Sequence, residues 1–433
     1  MRRALIPWLV CLLLFAACSA DSGLPEGGSA PAGNDSNGEG GEPDNEAPTT
    51  TTTPTIQLIG RVLNTVGVPI AGATVSISGT TTRTAPDGFF SVSAPGAGVV
   101  TAEKAGWVSG ELAWDGSSHL VEIALEPITV RALRVSANAA GDPDHFQRLL
   151  DLADETAVNA LVFDTKTEGG IVLYDTSVEL AHEMGAVNAT YDPVALIAEA
   201  KAHGLYTITR IVSFDDAIKG ANYPEHAIAG RWIDPRITEA WAYNLDLAAE
   251  ACQLGFDEIQ LDYVRFPSGQ AVKISGQLDM SQEERVGAVA AYLAAARALL
   301  HPLGCSVSAD IFAIVVSADN DQGIGQTPED LSSQLDALSP MIYPSHYSNG
   351  WLGFPDPNEH PYDVTADAID DTLERIEPST VVRPWLQSFW WTPAQIRRSI
   401  QAAEDRGVGW MLWNIVSDYS RESLPTDAEL EGG

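Results

Sequence analysis

Two short stretches end in an acid. In Glu258-Ile259-Gln260-Leu261-Asp262 and in Ser306-Val307-Ser308-Ala309-Asp310, apolar and polar residues alternate. A period of two is strand patterning, because successive side chains point to opposite faces. Ile259, Leu261, Val307 and Ala309 then share one face, while Gln260, Asp262, Ser308 and Asp310 share the other. Two acids at the ends of neighbouring strands are the minimum set for hydrolysing a glycosidic bond. One protonates the leaving oxygen, and the other attacks the anomeric carbon or activates water. One of them must hold a proton near neutral pH, which burial or a like-charged neighbour brings about. Each Asp taken alone also fits a structural partnership with a nearby Arg or Lys.

Other runs end in residues suited to a sugar. In Ala160-Leu161-Val162-Phe163-Asp164-Thr165-Lys166, Asp164 and Lys166 share the inward parity. Arg210 ends another run, Arg265 follows Asp262, Tyr343 ends a third with His346 just beyond, Trp385 and Gln387 end a fourth, and Trp413 with Asn414 ends a fifth. Aromatic faces stack on the C–H faces of sugar rings, and carboxylate, guanidinium and amide groups bond the hydroxyls. We therefore expect Asp262 and Asp310 to be catalytic. Asp164, Lys166, Arg210, Arg265, Tyr343, His346, Trp385, Gln387 and Trp413 are expected to bind substrate. Of the 11 Trp, Trp385, Trp390, Trp391, Trp410 and Trp413 fall in or beside the last two strands, where core packing is the competing use.

Eight strand-like runs would have to hold these side chains: Val130–Ala137, Ala160–Asp164, Tyr206–Ile211, Glu258–Asp262, Ser306–Phe312, Ser339–Tyr343, Val381–Gln387 and Trp410–Asn414. Helical patterns lie between them. Asp192-Pro193 gives an N-cap and a Pro at the first helical position, with Gly204 as a stop. Ser281 with Glu284 reads as a capping box, and Thr327-Pro328 and Thr392-Pro393 repeat the cap-then-Pro pattern. Strict strand–helix alternation predicts a parallel sheet, and eight units predict an α/β fold of the (β/α)₈ barrel type. In such a barrel the active site lies at the C-terminal strand ends. An open doubly wound sheet is the alternative, but no glycine-rich phosphate loop follows the first strand.

Upstream, Arg2 and Arg3 precede an apolar run to Ala17 that is too short to span a bilayer and has the shape of a signal peptide. Leu14-Phe15-Ala16-Ala17-Cys18 resembles a bacterial lipobox, which implies lipidation of Cys18 and a membrane anchor of acyl chains. Residues 19–55 hold seven acids and no base, and read as a disordered tether. From 56 to 127, short alternating runs separated by turn formers such as Pro86-Asp87-Gly88 predict a small all-β sandwich. The barrel follows over 128–420.

Composition bounds the partners. Fifty-nine acids face 24 bases, a formal charge of -35, which repels nucleic acid phosphates and anionic lipid headgroups. Cys252 and Cys305 are the only cysteines beyond the leader; they can pair or stay free, and no second pair stands at metal-ligand spacing. None of the eight His forms a His-x-His pair, and no Gly-x-Ser-x-Gly elbow follows a strand, so metal-dependent and serine hydrolases are disfavoured.

Longer motifs carry a family resemblance. Residues 60–92 (GRVLNTVGVPIAGATVSISGTTTRTAPDGFFSV) with 102–107 (AEKAGW) resemble the carboxypeptidase regulatory-like β-sandwich, which implies a spacer or adhesion module. GFDEIQLDYVRFPSG (255–269), IGQTPEDL (324–331), SPMIYPSHYSNGWLGFPDP (339–357), VRPWLQSF (382–389) and GWMLWN (409–414) resemble the bacterial "putative glycosyl hydrolase domain" family. The resemblance spans about Val130 to Tyr419 and implies a barrel distantly similar to the α-amylase clan. In that clan the acid ending the fourth strand is the nucleophile, and Asp262 occupies this place. The clan's fifth-strand acid is Glu where this chain has Asp310. Its seventh strand ends in an Asp where this chain has Gln387, leaving Asp164 as a candidate third carboxylate. The expected protein is thus an extracytoplasmic, membrane-anchored lipoprotein and a monomer, a glycoside hydrolase acting on a polysaccharide or cell-surface glycan with no cofactor or metal. A carbohydrate-binding or cell-wall scaffold protein that does not cleave is the alternative.

Overall fold

The structure is a computed structural model and describes residues 55–117 and 120–432. The expected leader with Cys18, and the tether up to residue 54, lie outside the described residues.

Residues 56–127 form two four-stranded sheets. One orders Phe89–Ala94, Ile56–Asn64, Leu120–Pro127 and Trp107–Val108; the other orders Thr80–Arg83, Thr74–Ile77, Gly98–Glu103 and Gly110–Trp114. Their alternate residues, among them Leu58, Val62, Val75, Ile77, Phe90, Val100, Trp114 and Ile123, close one core. At the turn 86–88, Gly88 has φ +72°, and a Cβ there would meet the Val62 carbonyl oxygen at 2.5 Å, so the turn admits glycine alone.

The rest is a barrel of eight parallel strands: β1 (Arg131–Val135), β2 (Ala160–Lys166), β3 (Tyr206–Val212), β4 (Glu258–Asp262), β5 (Ser306–Phe312), β6 (Ala337–Ile342), β7 (Trp385–Gln387, led in by Val381–Val382) and β8 (Trp410–Trp413). Trp410 of β8 pairs back to Arg131 of β1, and that pairing closes the ring and rules out the open sheet. Ile259, Leu261, Val307 and Ala309 pack outward against the helices, while Val162, Ile208 and Met411 fill the barrel. The alternation read from the sequence holds in β4 and β5. Before β7 the chain passes through Pro384, which has no N–H; the ladder continues through Arg383 N to Leu338 O (3.0 Å) and Met411 N to Pro384 O (2.9 Å).

The outer helices begin largely where the caps are. The Asp192 side chain accepts from the amides of Val194 and Ala195, and Ser281 with Glu284 and Thr392 with Gln395 form capping boxes. Thr327 differs. It precedes the short helix Pro328–Ser332, but its hydroxyl donates to the Asp330 carboxylate (2.6 Å) and caps no backbone amide.

The sandwich meets the barrel at the N-terminal strand ends. Ser306 Oγ, at the start of β5, donates to Ala105 O (2.7 Å), and buried Lys104 pairs with Asp336 at 3.8 Å. Burial opposes both charges and lowers the Lys104 pKa. The Lys104 charge and the His301 hydrogen bond (2.8 Å) nevertheless hold the Asp336 carboxyl far below the usual range. These contacts leave the opposite rim, where the strands end, to the site.

Cys252, on the helix Trp241–Leu254, is disulfide-bonded to Cys305, just before β5, across a sequence separation of 53. The sequence left this pairing open. The bond ties a helix to the start of the strand that carries Asp310. We predict that reduction, or Cys252→Ala with Cys305→Ala, lowers the unfolding free energy by about 2–4 kcal/mol. Urea denaturation with and without reductant measures this, and an unmoved midpoint would contradict it.

Candidate active site

A cavity of about 590 Å³ opens at the C-terminal strand ends, lined by Glu168, Arg210, Asp262, Tyr263, Arg265, Phe312, Met341, Tyr343, His346, Tyr347, Trp351, Trp385 and Trp413, among others. Its floor is organised by one guanidinium. Arg210 of β3 donates from Nε to Asp262 Oδ2 (2.8 Å) and from Nη1 to Asp164 Oδ1 (2.9 Å), and Nη2 reaches both Asp262 (2.6 Å) and Glu168. Burial alone would depress the Arg210 pKa, but Asp262, Glu168 and Asp164 more than offset it and hold the pKa well above its ordinary value. Arg134 of β1 takes the other oxygen of Asp164 (2.6 Å). Both guanidinium groups lie over the Trp413 ring, at 4.2 and 4.9 Å from its centroid.

Asp262 is fixed from two sides. Oδ2 takes Arg210, and Oδ1 accepts the Tyr263 amide at 2.6 Å. Tyr263 has φ +52°, a left-handed conformation that non-glycine residues rarely adopt and that concentrates at functional sites. Burial and the nearby Asp262 push its phenol up to about 12. Past Asp262, the Arg265 guanidinium is enclosed by Trp232, Tyr263 and Phe312 at 4.6, 4.9 and 4.3 Å, and among the described residues no carboxylate forms an ion pair with it.

Asp310, on the adjacent β5, is in the opposite condition. It is 1% exposed; Oδ1 accepts the Trp385 indole N–H (2.9 Å), and Oδ2 has no partner. Burial first, and the charge of Asp262 second, raise its pKa well above the ordinary Asp value, so it holds its proton to higher pH than an ordinary Asp. Two carboxyl groups on adjacent strands thus sit in contrasting surroundings, one paired with a cation and one buried without an ion-pair partner. Asp310 is not itself in the cavity wall; Trp385 stands there, edge to face with Trp413 at 5.3 Å. Burial also raises Tyr343, with Asp310 and Asp262 nearby, and lowers His346, so both are uncharged at neutral pH.

Of the expected site residues, Asp262, Arg210, Arg265, Tyr343, His346, Trp385 and Trp413 converge on the cavity. Three expected binders do not. Lys166 is turned into the helical shell, where it donates to Asp216 (2.7 Å) and to Asn244 (2.6 Å). The cause is a bulge in β2: Asp164 pairs with Arg210 but Lys166 with Ile211, so parity is lost after Asp164. Asp164 faces inward but is buried beneath the cavity, with both oxygens committed to Arg134 and Arg210. Gln387 braces the loops after β6 and β7, accepting the Ser345 amide (3.1 Å) and donating to Phe389 O (3.1 Å). The second carboxylate in the cavity wall, beside Asp262, is instead Glu168, whose side chain is 37% exposed. Burial would raise it, but Arg210 holds it below the ordinary Glu value. It lies beyond the end of β2, where strand parity no longer predicts direction.

Residues 132–419 match the family described as "Putative glycosyl hydrolase domain". No curated protein matches the chain. Among solved structures, the PgaB (BpsB) glycoside hydrolase domain from Bordetella bronchiseptica is similar, with 12% identity, 67% of this chain and 95% of that chain covered, and a TM-score of 0.51. The likeness shows a shared barrel fold. A hypothetical protein from Ruminiclostridium thermocellum ATCC 27405 is 30% identical over 41% of this chain and 96% of that chain, with a TM-score of 0.36.

Two stability predictions follow from the charges. Folded Asp310 holds a proton that the unfolded chain releases near pH 4. Stability therefore falls as pH rises from about 4 towards the folded pKa. Asp310→Asn removes that linkage, so the variant should melt higher than wild type, with a larger increment at pH 7 than at pH 4; equal melting at both would contradict the assignment. Arg210→Met strands buried Asp164 and Asp262 and should cost about 3–5 kcal/mol in denaturant titration.

Proposed function

The chain belongs to the glycosyl hydrolase domain family named above, and on that premise we propose that it hydrolyses a glycosidic bond in a polysaccharide or cell-surface glycan, using Asp262 and Asp310. The observation that carries this reading is the contrast between the two: a carboxylate paired with Arg210 in the cavity wall, and on the next strand a buried acid with one oxygen unpartnered and its pKa raised well above the ordinary Asp value. Pairs of acids pushed apart by their surroundings divide the work of acid and base. Asp310 gives its proton to the leaving oxygen as the C–O bond breaks. Asp262, oriented by Arg210 and the Tyr263 amide, attacks the anomeric carbon or activates water. Trp413 and Tyr343 supply aromatic faces, and Arg265 and Glu168 supply polar contacts.

Trp385 stands between Asp310 and the cavity, and this favours the second reading, a protein that binds glycan without cleaving it. Release of reducing ends from a glycan panel separates the two. As the acid, Asp310→Asn should lose at least about 100-fold on natural glycans but far less on a dinitrophenyl glycoside, whose leaving group needs no proton. Asp262→Asn should lose turnover on both. Wild type that is retained by glycan yet releases no ends supports the binding protein. The leader pattern at Cys18 and the Cys252–Cys305 bond support placing the chain outside the cytoplasm as an anchored lipoprotein.

A further inference from the structure

Beyond the cavity, on the same rim, lies a second cleft of about 440 Å³ between the segment after β7 and the segment after β8. Trp390 forms one wall, 81% exposed; Ile415 and Val416, 61% and 53% exposed, lie in the other segment. Exposed apolar side chains of this size gathered around one cleft usually serve binding.

Each wall has a distinctive backbone. Trp390 has φ +60°, a conformation costly for a bulky residue. Opposite it, Asn414 winds its own loop: Nδ2 donates to Ser388 O (2.8 Å) and Asp418 O (3.0 Å), and Oδ1 accepts the amides of Val416 (3.1 Å) and Asp418 (3.2 Å). Asn414 thereby ties the second loop to the first. Local strain with a preorganised loop and outward apolar side chains is the pattern of a binding site rather than of a core.

The cleft neighbours the cavity, with one ring between them. Phe389 lies edge to face with Tyr343 at 5.5 Å and with Trp390 at 5.0 Å. The cleft's lining contains no Lys or Arg and a single carboxylate, Asp418. Nothing there would hold an anionic substituent, while the exposed Trp390 indole suits the C–H face of a pyranose ring.

We propose that Trp390, with Ile415 and Val416, forms a distal subsite for an uncharged unit of a polysaccharide chain whose neighbouring units occupy the cavity. This rests on the reading of the cavity as glycan-acting, and it makes the ligand a chain rather than a mono- or disaccharide.

The test is native affinity electrophoresis of the full chain in gels cast with glycol chitin, hydroxyethylcellulose or laminarin, with alginate as the polyanionic control. Wild type and Asp310→Asn should be retarded by at least one uncharged polymer and not by alginate. Trp390→Ala and Trp390→Gly should weaken that association about three- to tenfold, the range one aromatic contact supplies. Trp390→Gly should also melt at or above the wild-type temperature, because glycine relieves the backbone strain, so weaker binding there is not misfolding. Equal retardation of wild type and both Trp390 variants overturns the subsite, as does the absence of retardation by every uncharged polymer. Retardation that depends on Trp390 without hydrolysis of any polymer leaves the subsite standing and removes the hydrolase reading. Hydrolysis with Trp390 variants indistinguishable from wild type does the reverse.

Discussion

The Arg210 guanidinium, buried at the end of β3, is bonded to Asp164 below, Asp262 beside it and Glu168 towards solvent. Three carboxylates on so small a floor would repel one another; the shared cation keeps the cluster together. The same cation sets the contrast on which the proposed chemistry depends. Asp262 has Arg210 as a direct partner, whereas Asp310 has an indole N–H on one oxygen and nothing on the other. Burial and the Asp262 charge then act on Asp310 without local compensation. The price in stability is the energy of holding a proton that water would take, and it is tolerable because the surrounding barrel is densely packed.

The two ends of the barrel are put to different uses. At the N-terminal ends, Lys104 and Asp336 join sandwich to barrel through a buried ion pair. In the lowest interior layer Glu258 meets Arg383, with Ser308 and the Tyr206 hydroxyl also on the carboxylate. These charges are paired among themselves. At the C-terminal ends, groups are left with spare capacity: Arg265 among aromatic rings, Asp310 with a free oxygen, and Tyr263 and Trp390 in left-handed conformations. Strained and unsatisfied groups concentrated at one rim are what a binding surface requires, while the other rim bears the load of assembly.

Much of this architecture was legible beforehand. The two-residue alternation in 258–262 and 306–310 placed Asp262 and Asp310 inside, since a strand's geometry leaves a side chain only two directions. Local capping chemistry at Asp192, Ser281 and Thr392 marked helix starts, because those bonds span only three residues. Long matching motifs identified the family. Lys166 shows where such reasoning stops. A single extra residue in β2 reversed its direction, and a bulge depends on how two strands register, not on the composition of either.

The sequence by itself determined the alternation of strands and helices, the inward parity of the acids and the gathering of aromatic residues near the chain's end, all consequences of short-range geometry. Only the tertiary structure decided that Cys252 and Cys305 pair, that Glu168 and not Asp164 joins Asp262 in the cavity wall, and that Asp262 has a cationic partner while Asp310 is buried with one oxygen unpartnered. Those outcomes depend on distances between residues far apart in the chain and on how much water reaches each carboxyl group. Desolvation and Coulomb interaction act through space, so no pattern along the chain encodes them locally.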